Sequence, residues 1–189
     1  MKKQEKSKII PFRTIADDLF GHSNRKRGIN SKLKGNKAER DACKLLSAWV
    51  GVSFNRVPNS GGLQWGRDAR ISGDVVAPIN FDFPFNIEVK YYEDLGINKK
   101  LNLTLIKKFW GQTKKDSLSS DKIPILLAKQ NGSEFYLFTE EKYFTGLFVE
   151  DIIQLLDKKI VIEKLRMYKL SAIMETIKFE DFKKIFTDC

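Results

Sequence analysis

The stretch Phe85-Asn86-Ile87-Glu88-Val89-Lys90-Tyr91 decides how the rest of the chain is read. Side chains alternate across a strand, so Ile87 and Val89 turn to one face while Glu88 and Lys90 share the other. The apolar pair is expected in the core, which leaves a carboxylate and an ammonium one pleat apart. A carboxylate can bind Mg²⁺, and a lysine beside it can orient a water or offset charge on a phosphate. An exposed Glu/Lys pair on an edge strand has the same spelling, so Glu-X-Lys alone does not choose between the two. Gly73-Asp74-Val75-Val76-Ala77 narrows the choice. Asp74 opens an apolar, strand-like run fourteen residues before Glu88, and a hairpin or longer connection could bring the carboxylates together. Two carboxylates plus phosphate oxygens suffice for a hard cation that keeps several waters. A turn or cap role after Gly73 is the plain alternative for Asp74.

Moving toward the N-terminus, Ala38, Ala42, Leu45, Leu46, Trp49 and Val50 recur at helical spacing, and Gly51 ends the run. The spacing predicts a helix over residues 36–50. On it, Glu39 shares a face with Ala42, Cys43 and Leu46, while Arg40, Lys44 and Ser47 point elsewhere. A carboxylate on an apolar face needs a partner or a metal. A solvated Glu in the first turn is the competing reading. A strand is expected over 52–57, and Pro58-Asn59-Ser60-Gly61-Gly62 marks a loop. Further strands are expected over 71–77 and 85–91, a helix over 103–117, and a strand over 123–129 that Asn131-Gly132 turns into 134–139. Beyond residue 140 the pattern predicts mostly helix, notably 149–158 and 179–186. This order describes an α/β domain with a mixed central sheet flanked by helices.

Charge and composition bound the chemistry. The chain has 189 residues, 42% of them apolar, enough for one hydrophobic core and far from any bilayer-length apolar run. Residues 1–40 hold 12 Lys/Arg against 4 Asp/Glu, and the remaining residues 22 against 20. The net charge of +10 therefore sits mainly in a front arm, read as flexible over residues 1–33 with a short helical turn near 14–20. Such an arm suits a polyanion, although a solvated tail that only aids solubility has the same composition. His22 is the only histidine and lies in that arm, which argues against Ser-His-Asp, Cys-His and His-rich zinc chemistry. Cys43 and Cys189 form no disulfide framework, and no secretory signal is read, so free thiols in a reducing cytoplasm are expected.

Taken in order, a set of motifs resembles archaeal Holliday-junction resolvases and phage-encoded resolvases of the PD-(D/E)XK nuclease superfamily. The motifs are Lys34-Gly35, Glu39-Arg40, Arg56, Ser60-Gly61-Gly62, Gly73-Asp74-Val75-Val76-Ala77, Ile87-Glu88-Val89-Lys90 and Ile123-Pro124-Ile125-Leu126-Leu127-Ala128. The resemblance covers about residues 31–139. It implies a restriction-endonuclease-like core over 34–140, with 141–189 as a mainly helical C-terminal extension of the same domain. It implies Mg²⁺ dependence, with Mn²⁺ as a substitute, and a homodimer cutting branched or four-way DNA. With no bilayer-length apolar run and no sustained amphipathic helix in the arm, no membrane partner is expected. On it, Glu39, Asp74 and Glu88 become metal-site carboxylates and Lys90 the catalytic lysine. Gln112 stands where related nucleases often carry a site glutamine, flanked by Lys107, Lys108, Lys114 and Lys115. Ser60 stands where the family has a functional loop serine. Lys34, Arg40 and Arg56 join Arg25, Lys26 and Arg27 of the arm as candidate DNA contacts. Trp65 and Tyr91 could stack on unpaired bases or simply pack. Gly73 stands in place of the family's proline, and residues 63–70 look like an insertion before Asp74. The proline change does no damage, whereas the insertion and residues 140–189, which exceed the compact family core, leave a nuclease reading intact and put junction specificity in doubt. A restriction, repair or end-processing nuclease is the nearest alternative. A non-catalytic DNA-binding protein on the same scaffold is the more distant one.

Overall fold

Two long parallel strands set the architecture, because a parallel pair cannot be closed by a hairpin and needs a crossover. The computed structural model describes residues 31–57, 73–97, 99–143, 159–162 and 164–187. Helix α1 (Ser31–Val50) leads into β1 (Asn55–Arg56), which pairs antiparallel with β2 (Val75–Val76). Strand β3 (Phe85–Tyr92) then runs parallel to β4 (Ile123–Gln130), in a register that sets Glu88 beside Leu126 and Lys90 beside Ala128. The crossover between them is α2 (Leu103–Leu118), started by the Asn102 side chain, which accepts from Leu105 N at 3.1 Å. The turn at Asn131-Gly132, where Gly132 takes φ +72°, returns the chain antiparallel as β5 (Tyr136–Glu140).

The sheet then extends past the expected hairpin. Strand β6 (Lys159–Ile162) and β7 (Leu165–Lys169) join it, giving the order β3-β4-β5-β7-β6. The pattern named only helices beyond residue 140, so this strand pair is an addition to that reading. In Leu165-Arg166-Met167-Tyr168-Lys169, Leu165 and Met167 pack on one face of the sheet and Tyr168 on the other, so a two-residue period wins over short helical spacing. Helices α3 (Leu170–Thr176) and α4 (Phe179–Thr187) follow, the latter over the segment predicted as helix. The helix expected over 149–158 lies outside the described residues, as do the turn near 14–20 and the arm to residue 30.

Helices cover both faces of the mixed sheet, the α/β class expected. On one face α1, α3 and α4 bury Ala42, Leu45, Leu46, Ile173 and Phe182 against Phe85, Ile87, Val89, Ile125 and Leu127. On the other, α2 buries Ile106 and Trp110 against Leu126, Ala128, Phe138 and Met167. Trp49 of α1 ties the C-terminal helix down: its ring lies 5.3 Å from Phe179 and 5.1 Å from Phe182, and its Nε1 donates to Ile177 O. No described helix is long and apolar enough to cross a membrane.

Candidate active site

Strand β3 is the edge of the five-stranded sheet, so one row of its backbone groups needs partners from outside the sheet. Gly73-Asp74 supplies them. Asp74 N donates to Ile87 O at 2.8 Å, and Val89 N donates to Asp74 Oδ2 at 2.8 Å. Val57 N holds Asp74 O at 3.0 Å from the other side. Gly73 thus makes a single parallel bridge to Ile87 at the edge of β3, and Asp74 is pinned at the level of Glu88.

Gly73 makes this approach possible. Its φ is +74°, and a Cβ there would overlap Asn86 Oδ1 and Ile87 O. Proline, locked near φ −65°, cannot take that conformation. The departure from the family's proline therefore has a local backbone reason.

The two-residue period of β3 puts Asn86, Glu88 and Lys90 on the α2 face and Phe85, Ile87 and Val89 in the opposite core. Lys90 Nζ is ion-paired with Glu88 Oε1. Gln112, reaching over from α2, donates its Nε2 to the same oxygen at 3.2 Å. Four of the predicted site residues therefore lie together: Glu88, Lys90 and Gln112 in contact, and Asp74 beside them on the edge.

Burial dominates the electrostatics. Asp74 is 7% exposed and Glu88 4%. Desolvation pushes Asp74 up to about 6, against the Val89 N–H, and the charge of Glu39 pushes the same way. Desolvation, then the charge of Asp74, pushes Glu88 up to about 7 against the pull of Lys90. Two buried carboxylates, one of them raised by the charge of the other, suit a divalent cation, which would relieve both the desolvation and the repulsion. Asn86 adds a further polar group nearby: it is 0% exposed, and among the described residues neither its Oδ1 nor its Nδ2 finds a hydrogen-bond partner. Asp74 and Glu88 thus fit a divalent cation.

Glu39 stands off from this pair. Its Oε2 accepts from Arg56 Nε at 2.9 Å, and Arg56 also reaches Asn36 Oδ1 at 3.3 Å. Asp74 feels its charge, but among the described residues no three His, Cys, Asp or Glu side chains gather as a metal cage. Cys43 lies in the same acidic field, and burial, then Glu39 and Asp74, push its thiol up to about 12, far from a nucleophile. Lys34 is half-buried on α1 and Arg40 exposed. Of the lysines flanking Gln112, Lys107, Lys108 and Lys115 are exposed, whereas Lys114 binds Glu140 at 3.0 Å. Ser60, Trp65, Arg25, Lys26 and Arg27 lie outside the described residues.

Three residues near the site were not singled out from sequence. Asn86 completes the polar row with Glu88 and Lys90, and its i, i+2, i+4 spacing was the available signal. Asp116, one helical turn beyond Gln112, raises Glu88 further through its charge. Tyr92 follows Lys90 on the same face, is 47% exposed and meets the Phe109 ring at 6.1 Å. Tyr91, the aromatic picked from sequence, turns to the opposite face, where Lys129 Nζ lies 5.7 Å from its ring.

An edge strand carrying Glu-X-Lys, a flanking aspartate and a helix-borne glutamine on an α/β core is the arrangement of a PD-(D/E)XK nuclease-like fold. The family model described as "Phage putative PDDEXK endonuclease" matches residues 30–188, and the chain belongs to that family. Among curated proteins it is similar to Protein D14 of Escherichia phage T5, with 25% identity over 114 residues covering 58% of this chain and 70% of that protein. No solved structure matches.

Proposed function

We propose that this protein is a divalent-metal-dependent DNA endonuclease that hydrolyses phosphodiester bonds in branched DNA, four-way junctions included, as a homodimer. The observation that carries the reading is the buried Asp74/Glu88 pair with Lys90 on Glu88. Asp74 and Glu88 would hold Mg²⁺, with Mn²⁺ as a substitute. The bound ion supplies a polarised phosphate and a water of lowered pKa. Gln112 and Lys90 both engage Glu88 Oε1, which steadies the carboxylate. Lys90, still partly exposed, would orient the attacking water or offset charge on the phosphate oxygens. Glu39, held by Arg56, contributes negative charge from α1. Arg40, Lys34, Arg56, Ser60 and the basic arm would position the DNA backbone.

Branched DNA rests on the resemblance to resolvases, and the dimer on the need for two opposed nicks, which two-fold symmetry supplies. The test is cleavage of a four-way junction, a fork and a linear duplex, each with Mg²⁺, Mn²⁺ or EDTA, with the mass of the protein measured by light scattering. The expected result is paired symmetric nicks on the junction, no cleavage in EDTA and a dimeric mass. Equal cutting of the linear duplex would support the restriction or repair reading instead. No cleavage of any substrate with either metal would leave a binding protein.

A further inference from the structure

Among the described residues, Asn86 is a buried polar group that its own fold leaves unexplained. It is fully buried at the second position of the edge strand β3, and among the described residues neither end of its carboxamide has a hydrogen-bond partner. Burying an amide without hydrogen bonds destabilises a fold, so an apolar residue would serve the core better. The position is also specific. Asn86 precedes Glu88 by one pleat on the same face, and its Oδ1 rests against Gly73, the residue before Asp74. Asn86 thus stands one pleat from one carboxylate of the candidate cation site and beside the residue that precedes the other.

We propose that Asn86 is a positioning residue of that site, its carboxamide meeting the water shell of a divalent cation held by Asp74 and Glu88. The inference rests on the metal reading given above. An amide suits the task because Nδ2 donates and Oδ1 accepts without adding charge to two carboxylates that already repel. Outer partners of this kind commonly change metal affinity by about 10–100-fold.

The experiment is Ca²⁺ titration by calorimetry on the full chain without DNA, paired with the metal-free melting temperature. N86A should weaken Ca²⁺ binding about tenfold, whereas N86D, which adds a carboxylate at the same place, should tighten it. N86D should also lower the metal-free melting temperature, since a third acidic group joins a buried pair. Opposite effects on affinity cannot come from a general packing defect. If N86A does not fold, N86S, which keeps a small donor and acceptor, takes its place with a smaller expected loss. Wild-type affinity in both N86A and N86D, or equal weakening in both, would overturn the assignment while leaving the metal site standing. A wild-type chain that binds no Ca²⁺ would overturn the metal reading itself, and this inference with it.

Discussion

Glu88 and Asp74 are expensive residues to bury, and that cost makes them testable one at a time. An acid whose folded pKa is raised holds its proton longer when folded, so stability falls as pH rises through the interval between the two values. For Asp74 that interval runs from 3.8 to about 6, and for Glu88 from 4.5 to about 7. Below it both states are protonated and the penalty vanishes; above it the penalty is complete. D74N keeps an oxygen that can accept from Val89 N but removes the charge. In metal-free buffer it should melt above wild type at pH 7.5, with the gain shrinking toward zero by pH 4. A difference that is constant with pH would show that the aspartate carries no such penalty. The same residues carry the chemistry in the proposed function, so E88Q and K90A should each lower cleavage at least about a hundredfold while circular dichroism stays unchanged. A folded K90A variant with normal turnover would remove the central role given to that lysine.

At the scale of elements, the site depends on how closely two segments can approach. Gly73 lets the Asp74 segment lie against β3, and Gly96, with φ +69°, makes a similar tight turn before α2. At both positions an added Cβ would overlap a backbone oxygen, that of Ile87 for Gly73 and that of Lys100 for Gly96. Strain of this kind costs about 1–3 kcal/mol, so G73A and G96A should lose similar stability in urea denaturation. Only G73A displaces the Asp74 carboxylate from Val89 N. Cleavage should therefore fall in G73A at a temperature where both variants are folded, and stay near wild type in G96A. Equal activities would mean that the Gly73 contact is structural only.

For the whole molecule, charge distribution is the property that local geometry does not contain. The arm through residue 30 includes Lys2, Lys3, Lys6, Lys8, Arg13, Arg25, Lys26 and Arg27, whereas the body past residue 40 is nearly balanced. Each phosphate neutralised steepens the log–log salt dependence of duplex binding by about 0.9. Deleting residues 1–30 should weaken DNA binding and flatten that slope, with the cleavage position unchanged because phosphates position and bases specify. The measurement is affinity across a salt series for the full chain and the truncation. Identical slopes would make the arm a solubility tail.

Much of this protein follows from local pattern alone. The α/β class, the helices near 36–50 and 103–117, and the paired strands from 123 onward are written in two-residue and 3.6-residue periods, which any short window exposes. The side of β3 that bears Glu88 and Lys90 follows from alternation in the same way. Tertiary structure decided what depends on contacts between distant segments. It laid Gly73-Asp74 along the edge of β3, drew Gln112 across from α2 to Glu88, and matched Glu39 with Arg56. It also carried Leu165–Lys169 into the sheet beside β5. None of these is periodic. Each depends on which backbone groups an edge strand leaves unpaired and on how far a buried charge must reach for a partner. Those quantities exist only once the chain has folded.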